Sequence, residues 1–238
     1  NGYDISPDMV KMSLVNMYLH KFTNPKINEY DTLSSEDRWN EYYDVILANP
    51  PFFSPKGGIT PHNRFGVKST KAEVLFVDYI NEHLKPNGRA GIIVPEGIIF
   101  QAGIAYKQLR KKLLETSLIG VVSLPAGVFQ PYSGVKTSIL ILDKEKNKKN
   151  NKIFFGIVNN DGFSLNTNRT PIKDNDLNKL INSIHNNENQ SKLIRVDKNK
   201  ILNKDDYSFS LSVYEEQKIT SDLPFAKIGE VAEFINGA

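Results

Sequence analysis

At 238 residues the chain is long enough to bury one good core and carry a smaller appendage. Its 30 basic and 27 acidic residues leave a net charge of +3, which permits a nucleic-acid partner without demanding one. The absence of cysteine excludes a Cys-ligated zinc site, a disulfide framework and a thiol nucleophile, and there is no run of about eighteen apolar residues to span a membrane.

The chain opens Asn1-Gly2-Tyr3-Asp4-Ile5-Ser6-Pro7, without a methionine and in mid-pattern. Tyr3-Asp4-Ile5 reads as the end of a strand. Ser6 or Pro7 then starts a helix whose apolar positions include Met9, Val10, Met12, Leu14, Met17, Tyr18 and Leu19. Asp4 at that strand end suits either a helix cap or a carboxylate receiving hydroxyl donors. Residues 27 to 33 predict a second short strand running into another acidic residue, Asp31, which a solvated loop would equally carry. Ser34 to Asn40 forms a polar turn or short helix, in which Trp39, the only tryptophan, is expected to anchor packing.

Val45-Ile46-Leu47-Ala48 predicts a buried strand, and Asn49-Pro50-Pro51-Phe52 ends it abruptly because neither proline can donate to a ladder. A stiff loop at a strand's carboxyl end lies where open α/β sheets place their ligands. It displays an amide, consecutive peptide carbonyls and an aromatic face, which suit a flat heterocycle with an exocyclic amine. Phe53 to Lys71 is Gly- and Pro-rich, with Lys56, His62, Arg64, Lys68 and Lys71 interspersed, and reads as a mobile flap or a plain solvated loop.

From Ala72 a strand–helix rhythm resumes. A helix to Leu84 is closed by the stop signals Lys85-Pro86-Asn87-Gly88, and a buried strand through Ala90–Val94 leads to a loop at Glu96-Gly97. A helix follows at Tyr106–Glu115, with strands at Ile119–Leu124 and Thr137–Leu142. The basic run Lys144–Lys152 reads as a solvated hairpin tip before a further strand, Ile153–Val158. Residues 159–215 are rich in Asn, Lys and Asp, with one helix predicted around Asp176–Asn186. His20, His62, His83 and His185 show no ligand spacing, and no metal is inferred.

The string Asp44–Phe52 resembles the catalytic motif of the amino-group DNA methyltransferases, which methylate adenine N6 or cytosine N4. Leu84–Ala90, Leu124–Phe129 and Gly134–Leu140 resemble the modification subunit of type I restriction–modification systems, a likeness covering about residues 1–145. The resemblance implies an α/β fold, a doubly wound, mostly parallel methyltransferase (Rossmann-like) sheet whose final strand is antiparallel. It implies S-adenosyl-L-methionine as methyl donor and double-stranded DNA with a flipped adenine as substrate. Asn49, Pro50, Pro51 and Phe52 would form the catalytic loop, Asp4 would receive the donor's ribose hydroxyls, and Asp31 the amine of its adenine.

The same resemblance implies a strand, a glycine-rich turn and a helix upstream, so the chain is expected to be a fragment lacking that motif and inactive by itself. The expected layout is residues 1–158 as the methyltransferase part, 159–222 as a polar, helical extension or linker, and 223–238 as the start of a target-recognition domain or an ordinary terminal strand and helix. Expected partners are a specificity subunit or fused specificity domain and a restriction subunit, in a bacterial or archaeal cytoplasm. The readings left beside adenine N6 are cytosine N4, a protein or RNA amine or amide, and a non-catalytic DNA-binding module. Carbon-5 cytosine chemistry is excluded, because it attacks through a cysteine.

Overall fold

The computed structural model describes residues 1–52, 54, 56–186, 192–214 and 232. The chain begins with β1 (Gly2–Asp4), α1 (Pro7–Leu19) and β2 (Ile27–Glu29). The two strands pair in parallel as a small sheet of their own. Ser6 caps α1 through its side chain, which accepts from the Met9 amide at 3.4 Å, and Pro7 occupies the first turn, where no amide is needed. None of the residues of α1 is buried, so its apolar face at Met9, Met12, Val15 and Leu19 stays open.

The rest builds a six-stranded sheet. In chain order come β3 (Tyr43–Ala48), α2 (Ala72–Glu82), β4 (Leu84–Pro95), α3 (Glu96–Phe100), α4 (Ile104–Thr116), β5 (Leu118–Ser123), β6 (Thr137–Asp143), α5 (Lys144–Lys149) and β7 (Lys152–Ile157). A hairpin of β8 (Asp161–Phe163) and β9 (Pro171–Asn175) precedes α6 (Leu177–His185), β10 (Leu193–Asp197) and α7 (Lys198–Leu202). The sheet order is β10-β7-β5-β6-β4-β3. β3, β4, β5 and β7 run in one direction, and β6 and β10 run against them.

Alternation along the strands sends side chains to two cores. Ile92, Val121, Leu140 and Phe155 face a large cluster with Val74, Val77 and Ile80 of α2 and Leu109 and Leu113 of α4. Val122, Phe154 and Leu193 face the other way, against Leu180 of α6. The Phe154 ring lies directly over Gly120 on the neighbouring strand, in space that any side chain there would fill. On β3 the outward residues Val45 and Leu47 are exposed, while Ile46 and Ala48 pack on the larger cluster.

Several expectations change here. The stop signal Lys85–Gly88 lies inside β4. Tyr43 pairs with Leu84 and Val45 with Arg89, so these four residues form a bulge against β3 and the helix ends earlier, at Glu82. Glu96-Gly97 opens the short helix α3. The basic run is the helix α5, capped by Asp143 at the Lys146 amide (2.8 Å), because β6 and β7 lie on opposite sides of β5 and a hairpin cannot join them. Asn147 is buried there and donates to the Leu114 and Leu118 carbonyls at 3.0 and 2.7 Å.

The stretch read as a polar extension adds β10 to the main sheet and Ile201, Phe209 and Tyr214 to its core, so no packing boundary falls at residue 158. Of the segment read as a target-recognition domain, only Ala232 is among the described residues. Arg110, fully buried, fastens this C-terminal part. It donates to the carbonyl oxygens of Ile98 (3.1 Å), Gln101 (2.8 Å) and Asp206 (2.7 Å), and the Phe209 amide donates to Ile99 (2.9 Å). Replacing Arg110 by methionine strands the buried Ile98 carbonyl and breaks the bonds to Gln101 and Asp206, and urea unfolding should show a loss of about 3 kcal/mol.

Candidate active site

β3 is an edge strand of the six-stranded sheet, and the two prolines turn the chain out of it after Asn49. Asn49 and Pro51 are exposed, whereas Phe52 is half-buried edge-on against Phe129, ring centroids 6.2 Å apart and planes at 64°. Phe129 belongs to the loop 124–136 that joins β5 to β6. This loop is tied down at its base, where the Leu124 amide donates to Thr137 at 3.0 Å. Gly127 has φ +87°, and the Leu165 carbonyl lies 2.9 Å from where a Cβ would stand, so only glycine fits the turn. The Phe129 carbonyl accepts from the amides of Tyr132 (2.9 Å) and Ser133 (3.0 Å).

Beyond the catalytic loop, the Ser54 hydroxyl accepts from the Ala72 amide at 2.8 Å, which satisfies one of the free donors that begin α2. Glu73 in the same turn accepts from the Tyr106 hydroxyl of α4 at 2.6 Å. Burial, then the hydrogen bond to Glu73, pushes the Tyr106 phenol above its ordinary pKa. A cavity of about 530 Å³ opens between Phe52, Ser54, Lys56, Thr70, Lys71 and Glu73. Its two lysines, beside a helix start, favour an anionic group at its mouth.

Of residues 53–71, read from the sequence as a mobile flap or a plain solvated loop, the part from Ile59 to Val67 is docked through its apolar residues. Phe65 and Val67 are buried, with Phe65 in a cluster with Leu33, Trp39, Leu75 and Tyr79. The Ile59 amide donates to Thr70 at 3.0 Å, and the Val67 amide donates to Asp78 at 3.0 Å. Asp78 is fully buried and pairs with Lys112 of α4 at 2.5 Å. Trp39 is the packing anchor that the sequence suggests. His62 of the flap and His83 at the end of α2 meet its ring edge-on, with centroids at 4.5 and 4.8 Å. Sequence spacing could not bring these two histidines together. Ile59, Phe65 and Val67, three apolar residues in an otherwise polar stretch, were the available signal that the segment docks.

Asp4 and Asp31 sit together at the carboxyl ends of the β1–β2 pair, where the Tyr30 amide donates to the Asp4 carbonyl at 3.0 Å. The Asp4 carboxylate accepts from the Ser6 amide at 2.8 Å, at the start of α1. Asp31 accepts from the amides of Leu33 (3.0 Å) and Ser34 (3.2 Å) and from the Ser34 hydroxyl. Burial raises its pKa, but these hydrogen bonds outweigh it and hold the carboxyl below the usual range. The two aspartates thus lie on a sheet separate from Asn49–Phe52. The flap links the two groups, since the His62 amide donates to Leu33 at 3.1 Å.

A family model described as N-6 DNA Methylase matches residues 1–222. The EcoEI type I restriction enzyme methylase subunit of Escherichia coli is 39% identical over 134 residues, covering 54% of this chain and 27% of that protein. The MpnII methylase subunit of Mycoplasma pneumoniae is 29% identical over 176 residues, covering 65% and 32%. A solved methyltransferase subunit of a type I restriction-modification system from Streptococcus thermophilus superposes with a TM-score of 0.72 at 26% identity, covering 87% of this chain and 46% of that one. The chain therefore spans about a quarter to a half of the length of these relatives.

Two tests address how the site is held. Burial lowers the pKa of both His62 and His83. The unfolded chain then binds more protons as pH falls below about 6.5, so stability should decline with acid through that window. Urea midpoints should fall between about pH 7.5 and pH 5.5, and fall less in His83→Gln. Lys112→Met leaves Asp78 buried without its counter-ion and should cost about 3 kcal/mol by the same measurement.

Proposed function

This chain belongs to the N-6 DNA methylase family, and from that premise we propose that it serves the transfer of a methyl group from S-adenosylmethionine to N6 of adenine in DNA, as the modification component of a type I restriction–modification system. The observation that carries this reading is the loop Asn49-Pro50-Pro51 at the end of β3, with Phe52 set against Phe129.

Asp4 and Asp31 fit the donor, because both present carboxylate oxygens at neighbouring strand ends and each oxygen has two lone-pair sites. We assign the ribose hydroxyls to Asp4 and the adenine amine of the donor to Asp31. When bound, S-adenosylmethionine supplies a methyl carbon made electrophilic by the adjoining sulfonium. The chain spans about a quarter to a half of the length of its relatives, and the activity is proposed for the whole protein rather than for this chain alone.

The target adenine has to leave the duplex, since its amine is otherwise engaged in pairing. Phe52 offers its face to the extruded base, and Phe129 bounds the same space. The Asn49 side-chain oxygen and the Pro50 carbonyl accept the two amine hydrogens, drawing the nitrogen lone pair out of conjugation with the ring. As nitrogen gains positive charge these acceptors stabilise it, and the surplus proton passes to water. Placement of the amine in line with the methyl carbon supplies the rest of the rate. Lys56 and Lys71 are suited to neutralising phosphates beside the extruded base. Sequence recognition falls to a specificity subunit or domain, with a restriction subunit as a further partner and the bacterial cytoplasm as the place of action.

Co-expression of the full-length gene with its specificity subunit or domain in a host without DNA methylation should yield N6-methyladenine at one sequence, and Asn49→Ala should abolish it. A folded complex of the two that binds S-adenosylmethionine yet leaves genomic DNA unmodified would refute adenine methylation. Asp31→Ala should weaken donor binding in calorimetry by about tenfold, the worth of one hydrogen bond to a charged group.

A further inference from the structure

Tyr132 is the most exposed large apolar side chain among the described residues, at 94% of its full accessibility. A single exposed aromatic is ordinary on a protein surface. Its attachment sets this one apart. It stands three residues beyond Phe129, and its amide donates to the Phe129 carbonyl at 2.9 Å. The turn that presents it closes further through Ser133 to Phe129 (3.0 Å), Gln130 to Gly127 (3.0 Å) and the Val135 amide to the Ser133 hydroxyl (3.2 Å). Phe129 is the residue that meets Phe52. One tightly bonded turn therefore sets both the wall of the base-receiving space and a ring directed to solvent beside it.

Extruding a base leaves the duplex with a gap one base high and two unstacked faces, and closing that gap drives the base back. Aromatic and apolar side chains that insert between base steps oppose this return. Tyrosine suits the task, because its ring is flat and rigid with only two rotatable bonds, and its hydroxyl offers a hydrogen bond to an unpaired base edge. We propose that Tyr132 enters the duplex where the adenine leaves it, stacks on the flanking base pairs and holds the target out for Phe52 and Asn49. This rests on the adenine-methylation reading above and adds to it a positioning residue that acts on the DNA, not on the amine.

The test uses the full-length protein with any subunits that co-purify, and duplexes bearing the sequence it methylates in the host. With 2-aminopurine at the target position, fluorescence rises when the base is extruded. Tyr132→Ala should lose most of that rise and reduce kcat/KM by about tenfold, as expected for one base-stacking aromatic. Tyr132→Phe should keep the rise, and donor binding and thermal stability should be unchanged in both variants, since the ring packs on little. The defect of Tyr132→Ala should shrink when the target adenine is mispaired and costs less to extrude. Equal fluorescence in wild type and Tyr132→Ala, or the same defect on paired and mispaired DNA, would overturn the proposal. A wild-type protein that neither methylates DNA nor raises the fluorescence would overturn the adenine reading along with it.

Discussion

Neither Pro50 nor Pro51 carries an amide hydrogen, and that missing donor governs the geometry at the end of β3. A strand that ended in ordinary residues could continue its ladder against β4. Here pairing stops at Ala48, opposite Ile92, and the chain turns out of the sheet. Asn49 and Pro51 are exposed in consequence, and Phe52 finds its contact with Phe129, a residue from the loop that joins the two central strands, β5 and β6. The displayed acceptors and the bordering ring are two results of one backbone constraint.

What steadies that loop lies behind it. Ser54 satisfies the first amide of α2, Glu73 in the same turn is held by Tyr106 of α4, and Asp78 farther along α2 binds the Val67 amide and Lys112. α2 thus carries the exit of the catalytic loop at one end and the docked residues 59–67 along its side. A buried carboxylate such as Asp78 adds little net stability over a well-packed apolar pair, but it fixes which segment sits where. On the other flank, Gly127 and the Leu165 carbonyl brace the loop that carries Phe129 and Tyr132. One wall is positioned by side-chain hydrogen bonds to residues distant in sequence, the other by the backbone bonds of its own turn.

Polar composition concealed much of the second half. β10 has two buried residues, Leu193 and Val196, and α7 only Ile201, so neither stands out from its Asn- and Lys-rich surroundings. They are buried because β7 needs an edge partner and α4 a neighbour, demands that arise only once the sheet has formed. The run 144–149 misleads for a related reason. Lys146, Lys148 and Lys149 face water, while Lys144, which donates to the Leu84 carbonyl at 2.6 Å, and the buried Asn147 make the bonds that seat the helix.

From sequence alone came the strand rhythm, the abrupt end at Asn49-Pro50-Pro51-Phe52, the helix start at Ser6 or Pro7 and the acidic residues Asp4 and Asp31 near strand ends, because each rests on local periodicity or on a residue's own backbone chemistry. The tertiary structure decided what those residues meet. It set Phe129 against Phe52, docked the flap on Trp39 and brought both His62 and His83 against that tryptophan's ring. It also made residues 85–88 a bulge within a strand rather than the end of a helix. Contacts of this kind join residues tens of positions apart, and no spacing within a single element encodes them. They follow from the order in which the strands lie side by side.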